Sequence, residues 1–378
     1  MAVFKLFPKK DATIYSQYPS MNTGLDAILE ASTYIADTVP QVSRYLIKFS
    51  TEEIIDVINN KVNNSSSTIY LNNRMALLEG LNLEKKLYIY PVSGSWGMGT
   101  GQFGDSPLVT NGVSWGWSDY FGSNTWQTGS YPTYVTGSYT SSLEGGGNWY
   151  TGSNLGLDIV HTQSFTYSDE KDINVDVTNT IHTWYSYSLD SGNGVENQGF
   201  LVKQQDSDEF VRSVNNTTYM RYFSIDTNTI YPPSLEFRWD DYSFNTGSST
   251  NSIITSPSSY ISVYNNNAEY YMDSISKFRV AVTPKNQIRT FITASNYETN
   301  YYLPEDVSLY AVKDTMTNEY VIEFDNDYTK ISADGTSSYF TLYMNGLEPY
   351  RDYTIIIKTQ IDGTTKIFDE DIRFKIIK

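Results

Sequence analysis

Cysteine is absent from this 378-residue chain. That excludes a disulfide framework, a thiolate nucleophile and any zinc or iron–sulfur centre built on sulfur. Histidine is nearly absent too: His161 and His182 are the only two, and they share no metal-ligand spacing. Positive charge is scarce. With 26 Lys and Arg against 43 Asp and Glu, the formal charge is -17, the wrong sign for a nucleic-acid or anionic-membrane partner. No apolar run is long enough to span a bilayer, and the opening MAVFKLFPKK has no apolar core of a secretion signal. Synthesis in a cytoplasm without a signal peptide is therefore expected, with no membrane insertion. The P-loop fingerprint is missing as well. Asp240 and Asp241 are adjacent, which on a strand points them to opposite faces and makes a poor glycosidase pair. A non-enzymatic chain without a cofactor is expected.

What the chain does have is aromatic residues, 33 Tyr, 17 Phe and 7 Trp, a surplus that favours strands over helices. Tyrosine also suits interfaces, since its ring packs on a partner while its hydroxyl stays wet. The length exceeds what one core usually serves, so two domains are expected. Ser43 to Phe49 alternates as a central strand, with Tyr45, Ile47 and Phe49 on one face and Arg44, Leu46 and Lys48 on the other. A short helix should follow, capped by Ser50 or Thr51 and striped by Ile54, Ile55 and Ile58. Asp172 to Thr178 alternates again, with Thr178 capping a helical turn that carries Ile181 and Trp184. LEFRW is expected to close the first domain near residue 245, and the Ser/Thr/Asn-rich stretch 246–259 reads as a linker. From 260 to 378 the segments FRVAV, IRTFIT, VSLYAVKD, YVIEFD, SYFTLYM, YTIIIKTQ and IRFKII are spaced as a smaller sandwich.

One stretch is compositionally different. From Leu87 to Glu170 there is no Lys or Arg, and 15 of the 24 glycines fall in residues 94–156 together with Trp96, Trp115, Trp117, Trp126 and Trp149. Long loops and short hairpins are expected here, with glycine giving tight turns and rings giving anchorage.

Through residue 245 the chain carries, in order, Asp11-Ala-Thr-Ile-Tyr-Ser, Asn22-Thr-Gly24, Arg44-Tyr-Leu-Ile-Lys-Phe49, Val175-Asp-Val-Thr178 with Ile181 and Trp184, and Asn197-Gln-Gly-Phe-Leu-Val-Lys203. In this order of elements it resembles the DNRLRE family of jelly-roll, carbohydrate-binding-like domains. The large Gly/Trp/Tyr-rich middle departs from that pattern. The second domain resembles fibronectin-type and other immunoglobulin-like modules through Leu347-Glu-Pro349 followed by Tyr353. Such a pairing is similar to virion structural proteins of tailed bacteriophages. The resemblance implies an all-β chain: a jelly-roll-type β-sandwich over 1–245 with long Gly/aromatic-rich loops, then a smaller immunoglobulin-like β-sandwich over 260–378. It also implies a place in the virion, as a tail, baseplate, neck or fibre component among symmetric copies of other virion proteins.

The candidate binding residues are Trp96, Trp115, Trp117, Trp126 and Trp149. They could grip a protein interface, stack on host-surface glycans, or simply pack the loops onto the sandwich. Trp115 and Trp117 share a face if SWGWS is extended. Asp172, Asn174 and Asp176 share a strand face and offer oxygen ligands to calcium, though without the loop of an EF-hand.

Overall fold

The computed structural model describes residues 2–36, 39–62, 66–81, 84–126, 145–151, 156–191, 193–210, 217–247, 253–286 and 300–378, with the backbone alone of 135, 136 and 252. The fold is all-β, with 45% of residues in strands and 10% in helix. Two compact units divide the chain: Leu6–Asn64 with Thr68–Glu236, and Phe237–Lys378 with Met1–Lys5 and Ser65–Ser67.

The first unit is organised by a six-stranded sheet in the order His161–Phe165, Lys85–Pro91, Phe200–Gln204, Val39–Lys48, Lys10–Tyr15, with Thr33–Ala36 also pairing on Val39–Lys48. These strands pair antiparallel throughout. The central strand is buried on both faces, and the alternation expected for Ser43–Phe49 separates them. Register places Thr13 opposite Tyr45 and Phe200 opposite Ile47, so these share one face, while Ala12, Leu46 and Leu201 share the other. On the Tyr45 face, Tyr45 meets Tyr222 with ring centroids 5.8 Å apart, and its hydroxyl accepts a hydrogen bond from Asn73 Nδ2 at 3.0 Å. Tyr222 and Asn73 come from the strands Tyr219–Phe223 and Ser67–Asn73. Trp184, from the helix Thr178–Leu189, packs on Phe200 at 4.7 Å.

The helices differ from expectation in their details. Ser50 caps Thr51–Asp56, its hydroxyl accepting from the Glu53 N–H, but a π-turn over Val57–Val62 continues the element. The buried stripe becomes Ile54, Val57 and Val62 rather than Ile54, Ile55 and Ile58. Thr178 is not a cap: Val177 holds that position, and the Thr178 hydroxyl accepts from the Ile69 N–H at 2.8 Å. The Thr178–Leu189 helix runs for 12 residues, longer than a single turn.

The second unit consists of two sheets over one core. One has the order Ser252–Ile253, Tyr301–Tyr302, Ile275–Pro284, Ser338–Tyr343, Ser332–Ala333, with Ser259–Val263 also on Ile275–Pro284; the other has Glu269–Tyr271, Thr364–Ile377, Asp352–Ile361, Ser308–Asp314, Tyr320–Ile322. Phe278, Phe340, Tyr310, Ile355, Ile357 and Phe374 meet in the shared core. The segment expected as a linker belongs to this unit, and from residue 252 onward it enters one of the unit's sheets through Ser252–Ile253. Ile254 is buried in the core and its N–H donates to Tyr302 O at 2.9 Å, because Ile253 and Ile254 bring strand-forming side chains into an otherwise polar run. Residues 248–251 of that segment, and the expected strand IRTFIT, lie outside the described residues. The division between units falls within the Ser234–Trp239 strand rather than at residue 245.

Candidate functional site

The second face of the central sheet, carrying Ala12, Leu46 and Leu201, is covered by the tryptophan loops. Trp96, Trp115, Trp126 and Trp149 are all buried there in one cluster with Val42, Val92 and Val113. Trp96 Nε1 donates to Gln198 O and Trp126 Nε1 to Ser114 O, both at 2.9 Å. Trp117 is the exception, half-exposed with its ring edge-on to Tyr120 at 5.0 Å. The 114–117 segment is bent, the Ser114 N–H donating to Trp117 O at 2.9 Å, so Trp115 and Trp117 do not share an extended face. The five tryptophans therefore form no open platform; four are internal anchors. A large flat ring gains most from burial.

At the centre of this layer is a charge. Arg44 is fully buried, and its guanidinium grips Glu209 through Nε–Oε1 at 2.9 Å and Nη2–Oε2 at 2.5 Å while Nη1 donates to Gly146 O at 2.7 Å. Lys203 Nζ lies 3.0 Å from Glu209 Oε2 and also pairs with Asp206. The guanidinium sits 4.9 Å from the Trp115 ring and 5.3 Å from that of Trp149, a cation enclosed by π faces. The run Gly145–Gly147 follows from this packing. All three have positive φ, and a Cβ on Gly146 would lie 2.7 Å from Arg44 Nη1 and 2.8 Å from Trp115 Cζ2.

A second device fixes the outer part of the layer. Asn22 is buried; its Nδ2 donates to Met98 O at 2.7 Å and Val113 O at 2.8 Å, and its Oδ1 accepts from the N–H groups of Gly101 and Gly24. The amide substitutes for backbone partners that an irregular loop lacks. Pro19 O accepts from Gly116 N and from the Ser114 hydroxyl, tying the 17–25 loop to the glycine-rich one. Lys10 lies over Trp96 and donates to its carbonyl; burial, then the Lys48 charge, pulls its pKa down to about 8.

What this clamped layer exposes is phenylalanine, tyrosine and leucine: Phe121 is 84% exposed and Phe103 54%, with Tyr18, Leu25, Leu108 and Tyr120 also exposed. Phe103 leans on Tyr15 at 5.1 Å and on Tyr18 at 6.1 Å. These residues were not singled out by sequence. The available signal was that each except Tyr120 sits beside Gly or Pro, where a loop tip has little neighbouring bulk to bury it.

The calcium candidates are otherwise engaged. Asp172 Oδ2 accepts from Arg74 Nη1 at 2.7 Å and its Oδ1 from the Met75 N–H at 2.6 Å, while Asp176 Oδ1 takes the Thr178 N–H at 2.9 Å. Asn174 is exposed, and its N–H goes to Gln163 Oε1. Strand placement brings the three together, but local backbone and Arg74 take up the two carboxylates. Among the described residues no group of three or more His, Cys, Asp or Glu is arranged to hold a metal ion, and no helix is long and apolar enough to cross a membrane. His161 Nε2 is 2.7 Å from the Thr180 hydroxyl, and burial lowers its pKa. A scan against protein-family models and a search of curated proteins each found no match.

Proposed function

We propose that this chain is a non-enzymatic structural protein of a tailed-bacteriophage virion, a tail, baseplate, neck or fibre part that assembles through protein contacts on its aromatic loop layer. The observation that carries the reading is the division of labour within the layer: tryptophans and a buried ion pair fix the loops, and exposed Phe103 and Phe121 are presented on them. Rigid presentation of aromatic side chains is what a tight interface requires, because little loop entropy is lost on docking. The jelly-roll and immunoglobulin-like assignments are part of the same proposal. The second is supported by Tyr353, whose hydroxyl accepts from the Glu348 N–H at 2.8 Å and donates to Glu348 O at 3.2 Å, the arrangement of a tyrosine corner.

The test is whether the chain is found, in fixed copy number, in purified phage particles from the strain that encodes it. Incorporation that falls with Phe103→Ala and Phe121→Ala is the expected result. A carbohydrate-binding adhesion protein is the second reading, favoured by the half-exposed Trp117 stacked edge-on with Tyr120 beside Asp119. Glycan-array binding that Trp117→Ala abolishes, in a chain absent from particles, would replace the first reading with the second. Hydrolysis of a polysaccharide would overturn both.

A further inference from the structure

Phe103 is exposed and leans on Tyr15 and Tyr18, and the two stretches of sequence these residues belong to lack positive charge completely. There is no Lys or Arg from Asp11 to Ser43 and none from Leu87 to Glu170. At the frequency of the whole chain, 26 in 378, that much sequence would carry about eight. Among the described residues the charges that adjoin Phe103 are acidic: Asp26 and Asp105, both partly exposed. Asp26 accepts the Phe103 N–H, and burial, together with the Glu30 and Asp105 charges, holds its carboxyl above the usual range. The cations at the margins are engaged inward. Arg221 pairs with Glu30 at 2.7 Å, and Lys10 lies over Trp96.

We infer that the face around Phe103 docks a cationic, amphipathic segment of a partner protein, with Lys or Arg opposite Asp26 and Asp105 and apolar anchors against Phe103 and Tyr18. The inference deepens the assembly reading above and rests on it. Charge complementarity selects the occupant: an acidic peptide or a nucleic acid is repelled, and a neutral sugar would add no counter-charge to Asp26 and Asp105. Ring faces next to carboxylates add cation–π attraction for the same side chains. Because Asn22 and the Arg44 layer hold the loops in place, the face is formed before the partner arrives.

The experiment titrates the full chain with two synthetic peptides of equal length, one alternating Leu and Lys, the other Leu and Glu. The Lys peptide should bind and weaken with added salt; the Glu peptide should not bind. Phe103→Ala with Tyr18→Ala, and separately Asp26→Asn with Asp105→Asn, should each weaken the Lys peptide about tenfold or more, an effect typical of interface anchors. Asp369→Asn with Glu370→Gln, both exposed in the other unit, should leave it unchanged. Equal binding by all variants would reduce the effect to the net charge of -17 and overturn the inference, as would preference for the Glu peptide. Unchanged tryptophan emission in each variant confirms that the loops remain folded. Lys-peptide binding that fails while particle incorporation still depends on Phe103 and Phe121 sinks only this inference; absence from particles with face-specific peptide binding sinks only the phage assignment.

Discussion

In the amino-terminal unit a guanidinium, two ammonium groups and their carboxylates lie in or against the interior around Arg44, Lys203 and Lys85, whereas the carboxy-terminal unit fills its interior with stacked rings. There Phe278 lies on Phe340 at 5.3 Å and Phe340 on Tyr310 at 4.2 Å. Among the described residues its ion pairs keep at least one partner partly exposed, as with Arg279 and Asp334 or with Arg351 on the buried Asp314. The contrast follows from what each unit must hold. Two regular sheets close over an apolar core by pleat and register alone. A layer of glycine-rich loops has no such register, and a buried Arg–Glu pair supplies one, because any other loop arrangement strands a charge in a medium of low dielectric.

The sharpest way to break this contrast is to remove the guanidinium. Arg44→Ala leaves Glu209 with Lys203 alone and withdraws the donor to Gly146 O. The expected loss is about 3–5 kcal/mol in the amino-terminal unit, read by urea denaturation followed through tryptophan emission. The double variant Arg44→Met with Glu209→Leu should recover most of it, since the stranded charge is gone. A loss below about 1 kcal/mol for Arg44→Ala would mean that the pair does not organise the layer.

The next effect depends on pH. Asp11 is buried, its Oδ2 accepts the Ile225 N–H at 2.8 Å, and its Oδ1 has no hydrogen-bond partner among the described residues. Burial raises its pKa to about 7, with Asp226 and Asp26 on the facing turns adding repulsion; from its own sheet it faces the Tyr45 phenol. A carboxyl whose folded pKa lies above its unfolded value stabilises the fold at low pH. That contribution is lost as pH rises from about 4 to about 7. Asp11→Asn keeps an acceptor for Ile225 and removes the charge. It should match the parent at pH 4 and exceed it at pH 8, by on the order of 3 kcal/mol, in urea titrations at both pH values. A parent whose stability does not fall across that range would show that Asp11 is compensated.

How much of this was legible beforehand depends on distance along the chain. The two faces of Ser43–Phe49 follow from alternation, and the Ser50 cap from the residues beside it. Asn22-Thr-Gly24 and Asn197-Gln-Gly199 were recognisable as signals, and both prove to be one device. In each the asparagine Oδ1 takes the glycine N–H, and a glycine Cβ would stand within 2.2 or 2.3 Å of a carbonyl oxygen. Glu209 carried no such mark: it lies 165 residues from Arg44, in a short acidic turn that reads as solvated. The strand His161–Phe165 hid for a different reason. Its HTQSF pattern contributes one fully buried residue, Phe165, at the edge of the sheet. The tryptophans drew attention by size, and size is also why four of them went inside.

A smaller test belongs to the carboxy-terminal unit. Tyr353→Phe retains the ring against Phe374 but deprives the Glu348 N–H of its acceptor. About 1–2 kcal/mol should be lost, with the m-value unchanged. A larger loss would mean that the corner, and not the ring stack, carries this unit.

The smallest effect sharpens the contrast from the other side. Asp334 is held well below the usual carboxylate range by hydrogen bonds from Arg279 and then Lys277, the opposite direction to Asp11. A depressed pKa gives stability that is present above the ordinary carboxylate range and lost as pH falls. Because the group is partly exposed, water and salt screen most of that shift. Asp334→Asn keeps the Oδ1 acceptor for the Thr336 and Ser337 N–H groups and removes only the charge. It should cost no more than about 1 kcal/mol at pH 7 and still less in 1 M salt. Parity with Arg44→Ala would erase the distinction between a unit organised by buried charge and one that carries its charges at the surface.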